Sequence, residues 1–253
     1  MALRPLLCAL VALSLSTSAL ADLDHRRIRI VGYDLLNHLL VIHNPNLRAS
    51  LNNRDAHERA YRTKLVELEY LTAQSGDAEL VTQFAEMKDR IIRLEAASKA
   101  DSDRLANWVN PIIAAQAKLD AAATITEQQS AETDSLISDI LLRLARIDFY
   151  YQLRTSSALS VPLLRDAADP ISALDSEILQ RFQQAEQQLP ACGKAIRRSL
   201  TDYRFIRPGL LDYRSAWIHD SIDRYTSSIS SRLSPLLTEA SCEAGYRPAN
   251  AGG

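Results

Sequence analysis

LVTQFAEMKDRIIRLEAASKADSDRLANWVNPIIAAQAKL, residues 80–119, decides the fold class. Steps of four and three residues from Leu80 land on Phe84, Met87, Ile91, Leu94, Ser98, Asp101, Leu105, Trp108, Ile112, Ala115 and Leu119, and only Ser98 and Asp101 break the apolar row. An alternating four-three spacing is one face of an α-helix, and a stripe held for about five heptads is a coiled-coil seam. The stretch therefore reads as one long helix, weakest at Ser98 and Asp101, that passes Pro111 without losing phase.

Immediately upstream, Ser75-Gly76-Asp77 supplies a turn with Asp77 as N-cap. Residues from about Asp24 to Thr72 are then expected to return as the antiparallel arm of a helical hairpin. That arm contains an Asn-Pro pair in LLVIHNPNLRAS, residues 39–50, and the second arm contains another in NWVNPIIA, residues 107–114. Pro45 and Pro111 stand roughly 47 and 53 Å of helix from Gly76 at about 1.5 Å per residue. Both arms are thus expected to kink at one level, since a bent helix against a straight one opens a void.

Each proline removes the hydrogen bond to a carbonyl four residues earlier, at Val41 and Asn107. Around those carbonyls lie His43, Asn44, Asn46, Asn107, Trp108 and Asn110. Amides, an imidazole and an indole converging in an apolar bundle make a candidate small-molecule site. The plainer reading is that the asparagines cap broken helices.

Downstream, DAAATITEQQ, residues 120–129, reads as a turn before a helix whose inner face is Ile137, Ile140, Leu141, Leu144, Ile147 and Tyr151. A further helix is expected to start with Asp169 as N-cap and Pro170 at its first position, carrying Leu174, Ile178, Phe182, Ala185 and Leu189 inward. Pro190 interrupts it, Ile196, Leu200 and Tyr203 continue the pattern, and IRPGLL, residues 206–211, reads as a turn. The last long helix holds Leu211, Ile218, Ile222, Tyr225, Ile229 and Leu233.

Composition agrees with an all-α class: seven Gly in 253 residues and 6% aromatic content suit long helices better than sheets. Met1–Ala21 carries one arginine, an apolar run and a small-residue exit, the pattern of a secretory signal cleaved after Ala21. No later run is long and apolar enough to cross a bilayer. Without Arg4 the chain carries 28 Lys and Arg against 31 Asp and Glu, a net charge of −3, which disfavours nucleic acid and anionic lipid as partners. A short signal, more arginine than lysine and no Asn-x-Ser/Thr sequon point to the periplasm. Residues 22–243 are read as a single helical-bundle domain and 244–253 as a loose tail.

The mature chain keeps Cys192 and Cys242, and an even pair in an oxidising compartment reads as a disulfide. A straight final helix would hold them apart, so the chain is expected to reverse near Ser234-Pro235. Closing that loop is worth about 4 kcal/mol in the chain-entropy model.

Catalytic and metal-binding motifs are absent from the sequence: it has no His-Glu-x-x-His, no Cys/His cluster, no Gly-x-Ser-x-Gly and no phosphate-cradling glycine loop. Asp34 and His38 share a helix face and at most suggest a weak two-ligand site, with a surface pair the plainer reading. Accordingly no catalytic residue, metal or cofactor is expected. A final cluster, residues 197–219, interleaves arginine with aromatics, the composition of interface hot spots, and marks Arg204, Arg207, Tyr213, Arg214 and Trp217 as docking candidates. The expected molecule is an elongated antiparallel bundle of five to six long helices, kinked at Pro45 and Pro111, with one disulfide. The expected role is a non-catalytic periplasmic adaptor that docks another envelope protein. The alternative is a soluble small-molecule sensor acting through a separate receptor.

Overall fold

The structure, a computed structural model, describes residues 25–44, 53–97, 105–129, 136–156, 170–212 and 219–237. The described residues are all-α, without a strand, and α1–α4 and α5–α8 form two compact units. The helices are α1 (residues 25–43), α2 (Arg54–Gln74), α3 (Ala78–Ala96), α4 (Leu105–Gln129), α5 (Leu136–Thr155), α6 (Pro170–Gln188), α7 (Gly193–Leu211) and α8 (His219–Leu233). Two 3-10 turns, Pro190–Cys192 and Ser234–Leu237, follow α6 and α8.

In the first unit each expected arm of the hairpin is itself folded in two. Residues 24–72 are not one kinked helix but α1 and α2 side by side, antiparallel, as Arg27 to Glu67 (2.8 Å), Lys64 to Asp34 (3.5 Å) and the Arg54 guanidinium to the Ile42 carbonyl (3.3 Å) require. The long stripe of residues 80–119 likewise divides. Its first half is α3, with Leu80, Phe84, Met87, Ile91 and Leu94 buried, and its second is α4, with Ile112, Ala115 and Leu119 buried. The weak positions Ser98 and Asp101 fall in the connection, outside the described residues. A run rich in Ser and Asp competes for the backbone's hydrogen bonds, and α3 ends where the Ala97 N–H reaches Arg93 and Leu94 carbonyls at 3.1 and 3.2 Å. Gly76 at φ +67 makes the α2–α3 turn, and the Asp77 carboxylate accepts from the Glu79 N–H at 2.8 Å as the expected N-cap.

The fourth helix closes on the first. Arg29 Nε and Tyr33 OH both donate to Asp120 of α4, at 2.8 and 3.2 Å, and Gly32 lies directly under the Gln116 amide. Successive neighbours α1–α2, α2–α3, α3–α4 and α4–α1 thus form a closed four-helix arrangement, not an elongated hairpin. Pro45 lies outside the described residues, so its expected kink does too. Pro111 sits inside α4, which also runs on through residues 120–129, where a turn is expected from sequence.

The second unit repeats the closure. Arg143 and Arg181 bind Glu177 and Asp139 across α5 and α6 at 2.8 and 2.6 Å. Arg207 and Tyr203 reach Asp175 across α6 and α7, and Arg232 reaches Asp202 across α7 and α8 at 2.8 Å. Buried Thr226 donates to Asp148, joining α8 to α5. The inner faces expected for α5 and α6 are buried apart from half-buried Leu189, and α6 begins on Pro170. The expected turn at residues 206–211 is instead helix: α7 continues through Pro208 and stops when the Asp212 N–H bonds the Pro208 carbonyl at 2.9 Å. In place of five to six helices the described residues hold eight. Of the expected disulfide, Cys192 is buried at the start of α7, and its expected partner Cys242 lies outside the described residues. The signal segment and the tail lie outside them as well.

Two helices, α1 and α5, are buried nearly all round, with Arg27 the sole exposed residue of α1 and none exposed in α5. No helix among the described residues is long and apolar enough to cross a membrane.

Candidate functional site

The α6–α7 pair is built on one carboxylate. Helix α6 turns Ile171, Leu174, Ile178 and Phe182 inward, and Asp175 lies beside that row, 3% exposed. A buried carboxylate needs donors, and α7 supplies them on one face: Tyr203 OH at 2.9 Å, and one turn on Arg207, whose Nε and Nη2 hold both oxygens at 2.8 to 3.0 Å. Burial and the adjacent Asp175 charge push the Tyr203 hydroxyl's pKa well up, so it stays a donor. Bonds to Asp175 likewise raise the Arg207 guanidinium.

Above this clasp opens a groove of about 540 Å³. Ser176, Leu179, Gln180, Gln183 and Glu186 line it from α6, at three- and four-residue spacing, and Leu200, Arg204, Arg207 and Pro208 from α7. Its walls are amides, one carboxylate and two guanidiniums over an apolar floor, a set that recognises polypeptide and carboxylate groups; no thiol or imidazole is among them. The guanidinium of Arg207 is committed to Asp175, whereas Arg204 is exposed. Lys194, Arg197 and Arg198 extend the basic exposed surface of α7. Nearby, Phe205 is 64% exposed with its ring 4.9 Å from that of Tyr225. Of the docking candidates, Arg204 and Arg207 come together in this groove; Tyr213, Arg214 and Trp217 lie outside the described residues.

The ligand candidates fall in the first unit. His43 is half-buried at the end of α1, and the Asn44 N–H, 3.4 Å from the Val41 carbonyl, gives that carbonyl the partner the sequence left open. Asn46 lies outside the described residues. On α4, Asn107 is exposed, while Trp108 Nε1 and Asn110 Oδ1 are buried without a hydrogen-bond partner among the described residues. Antiparallel register through Gly32 and Gln116 sets residue 43 level with about residue 105, so both groups occupy one end of the unit.

One pairing at that end escaped sequence reasoning. His38 of α1 and His57 of α2 face each other with Nδ1 atoms 3.1 Å apart and ring centroids 5.3 Å apart. Burial, then the neighbouring His57 and Lys64, lowers the His38 pKa from 6.5 to about 4. Nineteen residues separate the two in sequence, so helical spacing gives no hint of the pair; its only signal would have been the fold of α2 back onto α1.

No protein-family model, no curated protein and no solved structure matches the chain.

Proposed function

We propose that the protein is an exported, non-catalytic helical adaptor whose α6–α7 groove docks an acidic segment of another cell-envelope protein. The observation that carries this reading is the groove itself: its free cation, Arg204, continues a row of exposed basic residues on α7, and its amides suit main-chain groups. Charge complementarity therefore selects an acidic partner. Export rests on the signal pattern of residues 1–21, and mature protein beginning at Asp22 in a periplasmic fraction is the expected result. The arginine and aromatic residues beyond Asp212, including Trp217, extend the same docking surface in this reading, and the Cys192–Cys242 bridge holds the C-terminal segment in place.

Site-specific photo-crosslinking from Gln183 in living cells tests the groove. One partner band is expected, lost on Arg204→Glu with folding unchanged. A band of equal strength in Arg204→Glu, or none from Gln183 while an exposed α3 position such as Ile92 gives one, overturns the reading.

A second reading, a small-molecule sensor working through a separate receptor, draws on the buried Trp108 and Asn110 atoms that lack partners among the described residues. Under it, a compound carried through purification raises the melting temperature of the wild type and not of Trp108→Ala.

A further inference from the structure

We propose that His38 and His57 form a two-histidine site for a divalent transition ion such as Zn²⁺. Sequence spacing offers only Asp34 and His38, whereas the fold brings two imidazole nitrogens face to face from different helices, and a small turn of both rings lets them share one ion. Bonds of about 2.05 Å meeting at roughly 98° span the 3.1 Å between the Nδ1 atoms, an angle within the range of a tetrahedral ion. Preorganisation comes from the helices: α1 and α2 are tied on either side of the pair by Arg27 to Glu67, by Lys64 to Asp34 and by Arg54 to the Ile42 carbonyl.

Charge is the main objection, since Lys64 is close enough to His38 to disfavour a second cation. Its ammonium, however, stands 3.5 Å from the Asp34 carboxylate and 3.3 Å from Glu67, so most of its field is neutralised locally. Both rings serve as ligands only when neutral. Without an ion the two nitrogens share one proton, one donating and one accepting. An ion held by both Nδ1 atoms displaces that proton, which moves to the far nitrogen of its own ring or to solvent.

Equilibrium dialysis of untagged mature protein against Zn²⁺ at pH 7.5 tests this, with His38→Gln, His57→Gln and, as control, His25→Gln. One Zn²⁺ per chain is expected in the wild type and in His25→Gln, with binding weakened more than about tenfold in either pair variant. A Zn²⁺-dependent rise in melting temperature should accompany binding and disappear in His38→Gln. His57 is buried, so if His57→Gln loses its helical circular dichroism, the half-buried His38 variant decides alone. Equal binding in the wild type and His38→Gln, or no stoichiometric binding at all, overturns the proposal.

Discussion

At the scale of single residues, a buried carboxylate and a half-buried imidazole set measurable outcomes. Asp175 is held by Tyr203 and Arg207, and replacing it with Asn removes the charge that the bidentate guanidinium was placed to meet. Because Arg207 is partly open to water, the expected loss from Asp175→Asn is about 2 kcal/mol in urea unfolding, below the range for a fully buried pair. His38 works through pH. Its folded pKa of about 4 lies below its ordinary 6.5, so the unfolded chain takes up the proton first. The stability that follows is complete above about pH 6.5 and is lost as pH falls towards 4, a total of roughly 3 kcal/mol from this group. Urea midpoints measured between pH 7.5 and 4.5 should fall in the wild type and fall less in His38→Gln. Asp175 is not marked by its neighbours in sequence, because its partner Arg207 lies 32 residues away, and His38 is marked only through Asp34, not through His57.

At the scale of elements, the sequence disclosed phase well and helix ends poorly. The stripe from Leu80 to Leu119 is buried in both halves because a helix that folds back on itself presents the same apolar phase to the same core. Periodicity therefore cannot separate one long helix from two antiparallel ones; only the polar interruption at Ser98 and Asp101 carried that information. One proline misled for a different reason. Pro208 lies within α7, where neighbouring packing overrides the loss of a single hydrogen bond, whereas Pro111 sits inside a helix as expected and Gly76 and Asp77 performed as their local chemistry dictates. The contact between α1 and α4 supplies the prediction at this scale. A Cβ at Gly32 would stand 2.4 to 2.8 Å from the Gln116 amide, itself 1% exposed, so Gly32→Ala must displace a buried side chain or part the helices. A loss of about 1–3 kcal/mol is expected. Because Gln116 Oε1 and Nε2 have no hydrogen-bond partner among the described residues, the Gly32→Ala/Gln116→Ala double variant should recover most of it. Additive losses in that cycle would show that the close approach does not determine helix spacing.

At the scale of the whole chain, composition sufficed for the all-α class but not for its division into two four-helix units, because no glycine- or proline-rich linker lies near residue 133, where α4's unit gives way to α5's. Closure of each unit by its own polar bridges, Asp120 with Arg29 and Tyr33 in one and Asp148 with Thr226 in the other, has a consequence for local stability. Damage to a bridge should be felt first within its own unit, because the interactions it supports are made there. Hydrogen exchange followed by mass spectrometry reads this directly. In the wild type, amides of α1 and α5, enclosed on nearly all sides, should exchange most slowly, and the exposed face of α7 faster. Asp175→Asn should speed exchange across α6 and α7 while leaving α1–α4 unchanged under native conditions. An equal acceleration in all eight helices would mean that the chain opens as one cooperative body. In that case the two sets of bridges stabilise a single structure, and the groove on α6 and α7 is no more adaptable than the rest of it.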